Sequence, residues 1–212
     1  MGTGDFTSSS APRPVIGSGS FRSVSSAENR SCALDTSGGV WCWGDARGHE
    51  LAPLPAAIYT SPVQPVPGNS YQSVTVGAYA VCGLQLGGVA SCFGDDFASF
   101  GRLPLSSLQP GDVPVHPDLD PNLAELTSDG FNAIYARTRY GLGYVWGEPG
   151  CCDVFVVPPL LITPSLRIQD ISAGDSQYCV ISETGGLYCG DTNWWAFGGK
   201  ETLVGIPDES GS

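Results

Sequence analysis

The apolar positions of this chain fall in short β-prone runs, and Gly, Pro or Ser cuts nearly every window before a 3.6-residue helical stripe can build. Cys32-Ala33-Leu34 and Val40-Trp41-Cys42-Trp43 are two such runs. The Gly38-Gly39 pair between them supplies the positive φ angles of a tight antiparallel hairpin. Cys32 and Cys42 then face each other across the two strands at disulfide distance. Zinc would want short Cys-x-x-Cys pairs with histidines nearby, and neither is present, so the pair reads as a cross-strand bridge. The stretch Asn122-Leu123-Ala124-Glu125-Leu126 alone suits a helical turn.

The hairpin pattern returns three times. Cys82-Gly83-Leu84, Gly87-Gly88 and Val89-Ala90-Ser91-Cys92-Phe93-Gly94 repeat it, and Cys179-Val180-Ile181, Gly185-Gly186 and Leu187-Tyr188-Cys189-Gly190 repeat it again with one residue dropped before the last glycine. The same spacing predicts bridges Cys82–Cys92 and Cys179–Cys189. A degenerate copy, Tyr135-Ala136-Arg137, Tyr140-Gly141 and Tyr144-Val145-Trp146-Gly147, sets Tyr135 and Val145 where the cysteines should stand. An apolar cross-strand pair replaces the bridge there. Units at residues 15–61, 62–116, 117–163 and 164–207 are expected, the second entering through Pro62-Val63-Gln64-Pro65-Val66 as an edge strand. Residues 1–14 read as a flexible arm or linker and 208–212 as a tail.

A repeat of about fifty residues carrying several short strands marks a propeller blade, because one such sheet cannot cover its own faces and must stack on its neighbours. Residues 27–44 resemble the regulator of chromosome condensation type of repeat, in the cysteine-bearing form of extracellular proteins. The resemblance spans residues 15–206, strong in units one, two and four and partial in unit three. It implies an all-β protein, a β-propeller of four-stranded antiparallel blades with cross-strand disulfides. The family's usual ring has seven repeats and this chain has four. A ring closed within one chain, a ring shared with a second chain and an open arc all remain open, and intramolecular closure is the expectation. Glu201-Thr202-Leu203-Val204-Gly205-Ile206-Pro207 resembles the strand that opens a unit, so it is expected to complete a blade begun at the other end of the chain or on another molecule.

Composition narrows the partners. With 212 residues, 29 Gly, 17 Pro and a net charge of −12, the chain suits many strands joined by turns and has too few clustered cations to bind a phosphate backbone. Nucleic acid is excluded as an expected partner. Eight cysteines point to an oxidising compartment. Residues 1–20 hold no apolar signal core and no run of eighteen apolar residues exists, so the reading is a mature extracellular chain without its export signal, and no membrane insertion. Cys151-Cys152 admits a vicinal disulfide, bridges to other chains or free thiols, the first being the simplest; no Lys or Arg stands within ten residues to activate a thiolate.

Catalytic chemistry has little to draw on. His49 and His116 sit in separate units without a nucleophile beside them, and Asp95-Asp96 and Asp118-Leu119-Asp120 lack the Gly-punctuated alternation of a calcium loop. No enzyme, metal or cofactor is expected. Asn29-Arg30-Ser31 is a glycosylation sequon, Thr7-Ser8-Ser9-Ser10-Ala11-Pro12 suits either O-linked sugar or a linker, and Trp194 with Trp195 suits either ligand stacking or packing between blades. Phe6, Val15 and Ile16 are the few apolar residues of the N-terminal arm, which is suited to strand addition on a neighbour. The sequence thus points to a non-enzymatic extracellular structural or interaction subunit, with a homo-oligomer or filament formed through that arm. The alternative is a propeller module that binds a glycan or a protein, lectin-like or inhibitor-like.

Overall fold

A computed structural model describes residues 2–17, 19–48, 50–51, 53–94, 122–148, 157–174, 177–191 and 204–205. These residues build four antiparallel sheets, each formed by strands in chain order. The first holds β1 (Phe21–Ala27), β2 (Arg30–Asp35), β3 (Val40–Ala46) and β4 (Ala57–Val63). β5 (Tyr71–Val76), β6 (Ala80–Gln85) and β7 (Ala90–Gly94) make the second. The third comprises β8 (Leu123–Ser128), β9 (Asn132–Thr138), β10 (Gly143–Glu148) and β11 (Val157–Leu161), and the fourth β12 (Ile168–Gly174), β13 (Gln177–Ser182), β14 (Leu187–Asp191) and β15 (Val204–Gly205).

The hairpins form where the glycines place them. Gly38, Gly88, Gly141 and Gly185 all take positive φ, at 94°, 85°, 75° and 88°, and each N–H donates to the carbonyl three residues back, on Asp35, Gln85, Thr138 and Ser182. In this register Cys32 stands opposite Cys42, Cys82 opposite Cys92 and Cys179 opposite Cys189, with Cα atoms 4.0, 4.0 and 4.1 Å apart, and each pair is a disulfide. Tyr135 stands opposite Val145 in the third sheet, and both are fully buried. Side chains reinforce three of the four turns. Asp35 Oδ1 accepts the N–H of Ser37 and Gly39, Thr138 Oγ1 those of Tyr140 and Leu142, and Ser182 Oγ that of Gly186.

The stretch Asn122–Leu126 is not helical: Leu123–Ser128 is a strand. Its helix-like spacing comes from a β-bulge at Ala124, where the register shifts between Leu123 and Glu125, so that Leu123 and Leu126 face the same side. The first strand of every sheet is bulged at the same place, between Phe21 and Ser23, Tyr71 and Ser73, and Ile168 and Asp170. Two further expectations change. Pro62 and Val63 end β4, the outer strand of the first sheet, and do not open the second unit, so the division at residues 61 and 62 falls inside a strand. Val204 pairs with Cys189, so Val204–Gly205, the described part of the C-terminal run, forms the outer strand of its own sheet.

Three apolar clusters stack the sheets in sequence. The first joins Cys32, Leu34, Val40 and Cys42 to Tyr71, Val76, Val81 and Phe93; the second joins Cys82, Leu84, Ala90 and Cys92 to Leu123, Leu126, Ile134 and Trp146; the third joins Tyr135 and Val145 to Ile168, Ile171, Tyr178 and Val180. Each hairpin thus presents its staple face to the sheet that follows. Among the described residues no such cluster joins the fourth sheet to the first, so the expected intramolecular ring is not made there.

Candidate interaction surfaces

One hydrogen bond recurs at every seam. The N–H of Tyr71 donates to Gly38 O at 2.8 Å, that of Leu123 to Gly88 O at 3.0 Å and that of Ile168 to Gly141 O at 2.9 Å. The first residue of each sheet is therefore tied to the hairpin turn of the sheet before it. Gly38 is required twice over, because a Cβ there would stand 3.0 Å from Tyr71 O besides needing the left-handed backbone.

Among the described residues, the outward faces of the first and fourth sheets keep this pattern with no sheet against them. Phe21 pairs with Asp35 as Tyr71 pairs with Gln85, Leu123 with Thr138 and Ile168 with Ser182, so it holds the same register position. Phe21 is 37% exposed, whereas Tyr71, Leu123 and Ile168 are 1%, 0% and 1% exposed. Val24 is 67% exposed, against 8% for Leu126 and 3% for Ile171 at the equivalent positions. At the other end Ile181 and Leu187 hold the positions of Leu34 and Val40, yet Leu187 is 40% exposed and Cys179 and Cys189 are only half-buried. Gly185 O accepts no backbone N–H from a described residue.

The N-terminal segment lies on its own first sheet. Gly4 N–H donates to Thr60 O at 2.9 Å and Ile16 N–H to Gly2 O at 2.8 Å, while Asp5 and Arg13 pair at 2.9 Å. The Arg13 guanidinium holds the Asp5 carboxyl below the usual carboxylate range. Gly2 sits so tightly on the indole of Trp43 that a Cβ would stand 2.9 Å from Nε1. Trp43 is the counterpart of Phe93 and Trp146, which pack on the preceding sheet; the arm covers Trp43 and reaches β4 at Thr60, and leaves Phe21 and Val24 of β1 exposed. Phe6, Val15 and Ile16 remain exposed.

A polar depression of about 410 Å³ lies at one end of the first sheet, lined by Glu28, Asn29, Arg30, Asp45, Arg47 and Glu50 among others. Arg30 is buried and pairs with Glu50 at 3.1 Å, and its guanidinium also donates to the carbonyls of Asp45, Gly77 and Ala78, which links the first sheet to the second. Burial pulls the Arg30 pKa down, opposed chiefly by Glu50. Hydrogen bonding to Arg47 holds Asp45 low. The geometry braces a turn and offers no nucleophile and base in contact. Asn29 is exposed at the rim, in the turn where Glu28 has φ 47°. Gly44 closes that turn with φ 115°, its Cα facing Asn29 O.

Cys151, Cys152, Trp194, Trp195, His49, His116 and the Asp95, Asp96, Asp118 and Asp120 carboxylates lie outside the described residues. Among the described residues no three His, Cys, Asp or Glu side chains gather as a metal site, and no helix is long and apolar enough to cross a membrane. The bulges, the seam hydrogen bonds and the folded-back arm were not anticipated from the sequence; only the Gly-Gly turns carried a signal for the seams.

Stacked antiparallel sheets of three or four strands with a common inner register fit a β-propeller arrangement. Solved structures share this fold, a yeast RCC1 protein among them. The chain is similar to human WBSCR16, at 16% identity and TM-score 0.68 over 85% of this chain and 50% of that one. It is similar to Prp20p, the RCC1 of Saccharomyces cerevisiae, at 21% identity and TM-score 0.57 over 77% of this chain and 41% of that one. The ectodomain of the Physcomitrella patens receptor kinase CR4 matches at 19% identity and TM-score 0.56, over 84% of this chain and 40% of that one. The chain therefore spans half or less of the length of each. No family model and no curated protein sequence matches it.

Proposed function

We propose that this chain is a non-enzymatic, extracellular protein-interaction subunit that assembles with itself. The observation that carries the proposal is the pair of apolar end faces, since Val24 is 67% exposed at the position where Leu126 and Ile171 are buried. Exposed apolar positions with a defined register are interaction surfaces. Three disulfides fit an oxidising compartment and support the extracellular assignment. The arm, engaged on Trp43 and Thr60 of its own chain, leaves the assembly role to the end faces. Sedimentation velocity over a concentration series tests the reading. Mass should rise with concentration, both for the full chain and after removal of residues 2–17; a monomer at every concentration overturns it.

A second reading, binding of a different protein through the same fold, draws on a neighbour: the yeast Prp20p structure is described with its binding to Gsp1p and histones. A net charge of −12 would favour a basic partner.

A further inference from the structure

We infer that the two open faces are complementary to each other: the Phe21–Val24 face of one copy seats on the Ile181–Leu187 face of a second copy and continues the blade register across the chain boundary. This rests on the reading of the chain as a self-assembling subunit and names the surfaces it uses.

The three seams inside the chain supply the rule. At each, a staple face made of the bridged or paired positions receives the first strand of the next sheet, flanked by Leu34 and Val40 at the first seam and by Leu84 and Ala90 at the second, and the first N–H of that strand donates to the turn glycine's carbonyl. The fourth sheet carries the receiving half, with Cys179–Cys189, Ile181, Leu187 and the Gly185 carbonyl in register with the residues that sheets one and two bury fully. The first sheet carries the donating half, with Phe21 and Val24 in register with Tyr71 and Val74, Leu123 and Leu126, and Ile168 and Ile171. A second copy is thus the occupant that continues the established interface at β1, while Gly2 of the arm keeps Trp43 covered. Because the two patches differ, the contact is heterologous and leads to a closed ring or a filament, not a back-to-back dimer.

Charge adds an independent mark. Each copy carries −12, so long-range repulsion opposes the contact and screening relieves it. Association through these apolar faces therefore strengthens as salt is added, whereas an interface built on opposite charges would weaken.

Val24→Asp and Leu187→Asp, both at exposed positions, provide the test in the oxidised full-length chain, with circular dichroism and the denaturation midpoint confirming that each variant folds. Each variant alone should associate more than about a hundredfold more weakly than the parent, since a carboxylate would be buried in an apolar seat. An equimolar mixture should form a heterodimer, because one variant keeps an intact rear face and the other an intact front face. Loss of association in V24D only, with L187D unaffected, would show a front-to-front contact and overturn the inference. Unchanged association in both variants would overturn it while leaving self-assembly standing, and a parent chain that stays monomeric would remove both.

Discussion

The N–H of Tyr71 donates to the carbonyl of Gly38 at 2.8 Å, and through this bond the turn of one sheet fixes the start of the next. Gly38 has φ 94°, and an added Cβ would meet Ser70 Oγ and the Tyr71 backbone. Gly68 has φ 85° with open space around it. Gly68→Ala should cost about 1 kcal/mol from the left-handed backbone alone, and Gly38→Ala about 3 kcal/mol because the seam must open as well. Urea denaturation of the two variants compares them directly, and equal costs would deny the seam its role.

Tyr135 and Val145 hold the third sheet together where the others have a bridge. The disulfide therefore reinforces the hairpin and does not define it. Replacing Cys32 and Cys42 together by Ala should lower stability by about 2–3 kcal/mol, with the β-sheet circular dichroism spectrum retained. The converse change, Tyr135→Cys with Val145→Cys, should form a bridge in the third sheet yet gain little, because it removes the Tyr135 ring that lies 5.4 Å from that of Tyr178.

Asp35 is held low, to about 2, first by the Ser37 hydroxyl and further by the Trp41 indole and the Gly39 and Ser37 amides. Its folded pKa lies below the unfolded value, so the stability it contributes is complete above about pH 4 and is lost as pH falls toward 2. Asp35→Asn should lower stability at neutral pH and flatten the decline over that acid window, as read from thermal midpoints at a series of pH values. A decline as steep as the parent's would assign the acid sensitivity to other carboxylates.

Burial raises the Tyr71 phenol to about 12. The folded state favours its neutral form, so this contribution persists below about pH 10 and fades as pH rises through the folded value. Tyr71→Phe should remove that alkaline loss, detectable as a flatter stability profile above pH 10.

Removal of residues 2–17 uncovers Trp43, now 8% exposed. Tryptophan emission should shift to longer wavelength and stability fall by about 1–2 kcal/mol, as expected for baring part of an aromatic side chain. No spectral change would mean that the arm does not rest there in solution.

Much of the fold is legible in residue pattern because hairpins are local: the Gly-Gly turns and the cysteine spacing set register within a dozen residues, as at Cys32 and Cys42. What escaped is non-local or depends on a backbone irregularity. Leu123 and Leu126 carry helical spacing because a bulge puts both on one face of a strand. Pro62 and Val63 look like a strand opening a unit, yet nothing in their composition says which sheet they join. Gly2 carries no pattern at all; its place on Trp43 is a contact between residues 41 positions apart. The end faces were hidden for the same reason, since Val24 and Ile171 are alike as residues and differ only in what stands against them.

Electron-microscopic imaging of the particle formed at high concentration and raised salt tests front-to-rear assembly most directly. Closed rings of two chains, or filaments whose repeat is one set of four sheets, are expected, dispersing when Val24 or Leu187 is replaced by Asp. A field of single chains under the same conditions, or particles that V24D and L187D leave intact, would contradict it.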